Sequence, residues 1–550
     1  MLNRLGIAGV LLFLLAPDVF AHDVLRQRIE ALNAGYEVEA AGEPLMAKTA
    51  LKLFYSQRNY ALAWTNQAHR DAFNVALTIA RRNGLSPDDY HARALAALEA
   101  RPISTLTPMQ IVDQDLLLSD GYLLLASHLL EGKVNPETID SEWLANRRQR
   151  AIEPILAQAL ATSEIVEMLA ALQPQQNGYR RLLKAREAMG HLVDQPWPAI
   201  AGGPALKPGT TDPRVAAVRQ RLELLGEGLD GGENPAQEAA YYDEKLAGVV
   251  ATFQRRHGLD ADAVVGSGTL AALNTSPAMR LAQIDVNLER WRWLPDDLGS
   301  SHMLVNIAGF ELELIRNGDL SQRYRVIVGR PFRRTPVFSD KVRYLVFNPT
   351  WTVPKTLLVE DKIPEIIRDP SYLRRLGFTV YQGWGADRKE VNPESIDWKT
   401  VSRKRFPYQL VQDPGPQNAL GQVKFMFPNK FDVYLHDTPS RDLFQKTERS
   451  FSSGCVRVEH PLALAAELLG HMPEWSPERI DRVIHERSLT TVYLKTPMPV
   501  HIQYWTAWVD REGQLQFRND LYERDLRVRH ALQSRNPGGS SGQRVMNKEG

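Results

Sequence analysis

An α+β multidomain fold is predicted from three observations. Apolar residues recur at three- and four-residue spacing from about residue 23 to 208, the pattern of helices burying one face. A second compact helical unit follows a joint rich in Gly, Pro and Thr at 201–213. Beyond Pro295 the texture changes to short β-branched or aromatic runs bounded by Gly, Asn or Pro. At 550 residues the chain exceeds one ordinary core. The soft prior of roughly 150 residues per domain points to three or four modules.

The chain opens Met-Leu-Asn-Arg, then runs apolar from Leu5 to Ala16 and reaches Val19-Phe20-Ala21. A short positive start, an apolar stretch of this length and small residues at the minus-three and minus-one positions predict a Sec-type signal peptide over 1–21, cleaved after Ala21. Left uncleaved, the same segment would be an N-terminal membrane tether. The most apolar later segment, Leu116 to Leu130, is interrupted by Ser119, Asp120 and His128 and falls short of the ~18 apolar residues a bilayer requires.

Composition, with 43% hydrophobic and 24% charged residues, is that of a globular protein. A net charge of +1 gives no electrostatic case for nucleic acid, and the cluster Arg147, Arg148, Arg150 reads as a solvated helix face.

Residues 22–208 are predicted to form a helical scaffold. Asp115 to Leu130 is its clearest helix, stopped by Gly132, and its His128 is read as structural because nothing nearby has catalytic spacing. Residues 209–275 form a three-helix unit. Val215, Val218, Leu222 and Leu225 share one face, Leu246, Val250 and Phe253 a second, and Gly266 to Asn274 supply a third short helix after a turn at His257-Gly258. Residues 276–298 are a connecting helix carrying Trp291 and Trp293.

Residues 299–498 are mainly β, with strands at Met303 to Ile307, Glu311 to Ile315, Tyr324 to Val328 and Tyr344 to Phe347. A more helical and polar insertion at about 355–416 interrupts them, and insertions of this size are often substrate caps. Residues 499–535 are expected to add a hairpin, Val500 to Val509 against Leu515 to Phe517, and 536–550 a disordered tail.

The chain has one cysteine, Cys455. In an oxidising compartment, where cysteines usually pair, an odd thiol is either buried and inert or kept for chemistry. Ser452-Ser453-Gly454-Cys455 places small residues before the thiol, allowing a tight turn whose amides of Ser453, Gly454 and Cys455 could receive an oxyanion. Nineteen residues upstream, the run Phe431 to Leu435 reads as a strand ending at His436, an imidazole able to take the thiol proton and return it to a leaving amine. Arg457 could hold a substrate carboxylate or serve a structural partner.

Together these pieces resemble the L,D-transpeptidase family, whose motif is a His-Gly or His-Ser pair, a spacer, and Ser-His-Gly-Cys followed by an apolar residue and Arg or Asn. Here they stand as His436-Asp437 and Ser452-Ser453-Gly454-Cys455-Val456-Arg457. Val328-Gly329 with Thr335 to Phe338, Asn348 to Pro354, and Asn418 to Gly421 agree in order. The unit at 209–275 is similar to the small peptidoglycan-binding domain of wall enzymes. The module order resembles the long Gram-negative members.

The resemblance implies a periplasmic enzyme without metal or organic cofactor, acting on peptidoglycan tetrapeptide stems as donor and acceptor. Cys455 would be the nucleophile and His436 the base, with Arg457, Tyr434, Asn418 and Trp351 binding substrate. The product would be a direct diaminopimelate cross-link, and carbapenems would acylate the thiol. Two departures stand out. Ser453 replaces the second family histidine, leaving His436 as base. Asp437 stands where the family orients the histidine through a main-chain carbonyl, and a Cys-His-Asp triad through its carboxylate is the alternative. Water or a lipoprotein lysine could also resolve the acyl-enzyme, giving a carboxypeptidase or an anchoring enzyme. A non-catalytic wall-binding scaffold is the rival of another class. Neither Ser-x-x-Lys nor His-Glu-x-x-His occurs in the chain.

Overall fold

The helix expected at Asp115 to Leu130 runs from Pro108 to Glu131 because its start is capped: Thr107 Oγ1 accepts from the Gln110 amide, and Gln110 Oε1 accepts from the Thr107 amide. Gly132, at φ +87°, ends it. The computed structural model describes residues 16–144, 147–228, 239–401 and 407–534. Most of the leader-like segment and the expected disordered tail lie outside the described residues. The first described helix, α1 (Ala16–Asn33), crosses the expected cleavage position. Contacts divide the chain into two units: one comprises Met1–Ser141, Ala145–Asp296 and Thr506–Gly550, the other Glu142–Leu144 and Asp297–Trp505. No helix among the described residues is long and apolar enough to cross a membrane.

In the helical unit, the polar residues that interrupt the apolar run of α2 (Pro108–Glu131) are internal brackets. Asp115 accepts from the amides of Ala63 and Trp64, both at 2.8 Å, and from the Tyr55 hydroxyl at 2.6 Å. Ser119 receives the Trp64 indole N–H at 2.9 Å. Asp120 takes the amides of Met46 and Ala47 and pairs with His91 Nε2 at 2.7 Å. His128 sits against the Tyr90 hydroxyl, with burial pushing its pKa down to about 3. The arginine cluster corrects the expectation of a solvated helix face. Its residues lie outside any helix, and Arg148 is buried, donating to the carbonyls of Leu129 and Leu172. Leu129 belongs to the last turn of α2, whose carbonyls have no partner within the helix, so a buried guanidinium there satisfies a backbone need.

Among the described residues of the expected three-helix unit, the predicted helices form as α3 (Pro213–Leu224), α4 (Glu244–Arg256) and α5 (Ser267–Asn274). Asp212 and Asp243 cap the first two, and Val215, Val218, Leu222, Leu246, Val250, Phe253 and Leu273 form the core. His257 closes α4 with its ring stacked 3.8 Å from Phe253. The connecting helix α6 (Pro277–Arg292) buries Arg290 and Arg292, and Arg290 pairs with Asp525 at 2.7 Å.

Replacing Asp115 with Ala leaves the buried amides of Ala63 and Trp64 without their acceptor, each worth about 1–3 kcal/mol, while the Tyr55 hydroxyl keeps Ser119 Oγ. Denaturant unfolding of Asp115→Ala should show a loss of about 3 kcal/mol; a loss below about 1 kcal/mol would show that the bracket is dispensable.

In the second unit the strands are β1 (His302–Asn306), β2 (Glu311–Arg316), β3 (Asp319–Ile327), β4 (Phe338–Phe347), β5 (Trp351–Thr352), β6 (Phe378–Gln382), β7 (Lys389–Glu390), β8 (Tyr408–Gln412), β9 (Val423–Met426), β10 (Leu435–His436), β11 (Val456–Val458) and β12 (Thr490–Gln503). Eight of them close a barrel in the order β9-β10-β11-β3-β2-β1-β12-β4. Among the described barrel strands, β10–β11 and β1–β12 pair in parallel and the other neighbours antiparallel.

The sequence reading placed the last domain boundary at 498/499 and paired all of Val500 to Val509 with the hairpin. Instead β12 continues to Gln503, with Val500 beside Met303 in the barrel, and the hairpin is Ala507–Val509 against Leu515–Phe517. The insertion begins earlier than residue 355, because β5 pairs with β8, and it is less helical than expected. A four-stranded sheet, β5-β8-β6-β7, packs with the helical stretch 355–368 around Trp351, Leu358, Ile363, Ile366, Phe378 and Leu410. We call this layer the cap.

Candidate active site

The expected strand Phe431 to Leu435 is mostly a turn. Asn429 Oδ1 accepts from the Phe431 amide while its Nδ2 donates to the carbonyls of Phe427 and Val433, and pairing begins only at Leu435. From there β10 runs parallel to β11, with Leu435 opposite Val456 and His436 opposite Arg457. Cys455 directly precedes β11. Alternation along the strands therefore puts Cys455, Arg457, His436 and Tyr434 on one face, with Lys424 of β9 registered against His436 from the other side.

The histidine is buried and fixed by its neighbour. His436 Nδ1 lies 2.5 Å from the Asp437 main-chain oxygen, which calls for the Nδ1–H tautomer and leaves Nε2 as the free base. The Asp437 carboxylate is occupied elsewhere, accepting from the Gln422 amide at 2.9 Å and from Arg441. That carboxylate fits only because residue 421 is glycine: at φ +60°, a Cβ on Gly421 would stand 2.3 Å from Asp437 Cγ. A triad through the Asp437 carboxylate, the alternative raised by the sequence, does not match these contacts.

The turn before the thiol is held from inside. Thr335 Oγ1 receives the Gly329 amide at 2.9 Å and donates to the Gly454 carbonyl at 2.8 Å, while Ser452 Oγ donates to the Cys455 carbonyl at 2.5 Å. Gly454, at φ +116°, takes a conformation side chains rarely adopt. Its amide donates to Ser452 Oγ at 3.2 Å. This amends the expectation of three oxyanion amides: the Gly454 amide is engaged in the fold, and those of Ser453 and Cys455 carry the expectation.

Electrostatics leave thiol and imidazole uncharged at rest. Burial pushes Cys455 up to about 11, opposed by Tyr434, whose amide and hydroxyl face the sulfur, and by the Arg457 charge. Burial, reinforced by Arg457, pushes His436 down to about 3. Tyr434 stands edge-on to His436 at 5.6 Å, and Lys424 Nζ lies 5.5 Å from the Tyr434 ring. Burial also lowers Lys424 and Arg457, and Arg457 Nε is buried without a hydrogen-bond partner.

Residues 300–500 match the family model of the L,D-transpeptidase catalytic domain. Over this segment the chain is similar to that family. Residues 211–273 match a "Putative peptidoglycan binding domain" and residues 49–185 a "Scaffold domain". A Haemophilus influenzae protein named "Putative L,D-transpeptidase" is 37% identical over 255 residues, covering 46% of this chain and 50% of that protein. The chain thus spans about half the length of the curated relative it matches. Among solved structures, an L,D-transpeptidase from Xylanimonas cellulosilytica shares 15% identity at a TM-score of 0.18, covering 55% of this chain and 99% of that one. One from Mycobacterium smegmatis shares 11% at 0.16, covering 37% and 58%. Scores this low establish no further likeness.

Within the L,D-transpeptidase domain, two residues expected to bind substrate serve the fold instead. Asn418 is buried, with Nδ2 donating to the carbonyls of Pro349 and Asp413 and Oδ1 receiving the Leu420 amide, so it ties the root of the cap. Trp351 is buried in the cap core, 6.1 Å from Phe378. Tyr434 and Arg457 do flank the thiol. The sequence reading missed Lys424, although a lysine between Val423 and Phe425 in a buried strand was its one signal, and it missed Arg333, described below.

A thiol with this pKa reacts through a minor thiolate population that grows with pH. Alkylation of Cys455 by iodoacetamide should therefore rise about tenfold per pH unit from pH 7 toward 10. A plateau below pH 8 would mean that the thiolate is already formed at rest.

Proposed function

We propose that this chain is a peptidoglycan L,D-transpeptidase that forms direct diaminopimelate-diaminopimelate cross-links through an acyl-enzyme on Cys455. The observation that carries the reading is the parallel pairing of β10 with β11, which sets His436 and Cys455 on one face, two residues apart in register, within the segment that matches the L,D-transpeptidase catalytic domain.

In the proposed cycle, the Cys455 proton passes to His436 Nε2 as the sulfur attacks the carbonyl carbon of diaminopimelate at position three of a tetrapeptide stem. The oxyanion is received by the Ser453 and Cys455 amides. The carbon–nitrogen bond to the terminal D-alanine breaks, and His436 returns the proton to the departing amine. The side-chain amine of a second stem then attacks the thioester and gives its proton to His436, which hands it to the leaving thiolate. With both groups neutral at rest, proton transfer is coupled to attack, so the thiol stays protected until a carbonyl is presented. Arg457 and Lys424 favour the anionic stages.

The three-helix unit supports a wall substrate, and the leader-like first 21 residues support the periplasm as the compartment.

Mass spectrometry of muropeptides from treated sacculi should show diaminopimelate-linked dimers with release of D-alanine. Cys455→Ala should form none, and His436→Ala should fall on the order of a hundredfold or more, the usual scale of general-base catalysis. Tripeptides without dimers would identify a carboxypeptidase instead.

A further inference from the structure

The loop between β3 and β4 touches three successive residues of the turn that carries the thiol. The Arg330 amide donates to the Ser452 carbonyl at 3.1 Å, Arg333 Nη1 donates to Ser453 Oγ at 3.1 Å, and Thr335 Oγ1 donates to the Gly454 carbonyl at 2.8 Å. Of these three contacts, the one through Arg333 also reaches the cap. The Arg333 guanidinium forks onto both oxygens of Asp361, at 2.6 and 2.8 Å, and its Nη2 also donates to Glu360 at 2.7 Å. Both acids sit in a π-turn, Leu358–Lys362, within the first helical stretch of the cap, and such turns often mark functional positions.

Charge–charge attraction alone does not account for the Ser453 contact. The fork onto Asp361 is complete without it, and the serine is neutral and exposed. The contact fixes a geometry: Ser453 can face its amide toward the reacting carbonyl only if the turn holds still, and its hydroxyl is where Arg333 grips it. A planar guanidinium presents its donors in one rigid fork, so the position of the acids sets the position of the hydroxyl.

We propose that Arg333 is a positioning residue for acylation, locating the Ser453 amide through the Ser453 hydroxyl and taking its own position from Glu360 and Asp361 of the cap. The inference rests on the transpeptidase reading above, in which that amide receives the oxyanion. It makes the cap part of the machinery for acyl transfer as well as a cover, since the cap supplies the anchor for one side of the oxyanion turn.

The test compares two reactions of the same thiol in the full chain: acylation by a carbapenem, followed by intact mass, which builds an oxyanion, and alkylation by iodoacetamide, which does not. Arg333→Gln should slow acylation roughly 10- to 100-fold, the scale of a small misplacement in an organised site, while alkylation stays within about threefold. Asp361→Asn should shift acylation in the same direction by less, and it carries the test if Arg333→Gln does not fold. Because Arg333 acts through the hydroxyl, Arg333→Gln combined with Ser453→Ala should be no slower than Arg333→Gln alone. Additive losses in the double variant, or unchanged acylation in Arg333→Gln beside a reactive wild type, overturn the proposal and leave the transpeptidase reading standing. Equal losses of acylation and alkylation also overturn it, since Arg333 would then merely hold the surroundings of the thiol together. A wild type that no carbapenem acylates sinks the transpeptidase reading and this inference with it.

Discussion

The parallel contact between β10 and β11 is the constraint on which the rest of the site depends. In an antiparallel pair a short turn could join the strands, but parallel neighbours require a crossover, and here it occupies residues 437–455. That crossover returns the chain so that Val456 lies beside Leu435 and Arg457 beside His436, which leaves Cys455 two residues from His436 along the shared face. The Asn429 turn fixes where β10 starts, Gly421 makes room for the Asp437 side chain, and Thr335 holds the Gly454 carbonyl. Each contact removes one freedom from the same two side chains.

The electrostatic setting follows from that burial. Two groups that would attract each other once ionised are both kept neutral by desolvation, while cations at Lys424 and Arg457 flank them from the neighbouring strands. Such a site stores its positive field ahead of the charge that is to develop. Solvent need not reorganise when the sulfur becomes anionic, which is the physical advantage of fixed charges over water.

The proposed nucleophile and base are legible in the sequence because each stands out from its surroundings: a lone thiol after Ser-Ser-Gly, and an imidazole ending an apolar run. The three-helix unit was legible because its faces repeat at helical spacing and its caps are local. Less legible was whatever depends on contacts between distant segments. Asn418 and Trp351 look like motif residues, yet one satisfies carbonyls at the cap root and the other fills the cap core. The arginines at 147–150 look solvated until a helix end finds Arg148. Arg333 is one of three arginines, with Arg330 and Arg334, around Phe332, and nothing local separates it from its neighbours; its partners are 27 to 120 residues away. The extent of β12 was hidden because a strand that serves the barrel and then leads into a hairpin carries one unbroken apolar pattern.

The division of the chain has a consequence for where the helical unit finds its last contacts. In sequence the barrel unit interrupts the helical unit, which begins before residue 142 and resumes at Thr506. Helix α6 meets its carboxylate partner Asp525, and the amide of Thr506 reaches Asn287, only after about two hundred intervening residues have been made. The buried Arg290 of α6 therefore depends for its counter-charge on a segment that follows the whole barrel in sequence. A buried charge without its partner is strongly destabilising. The helical unit is accordingly discontinuous in sequence, and its buried charge is satisfied only when the segment beyond Thr506 is present.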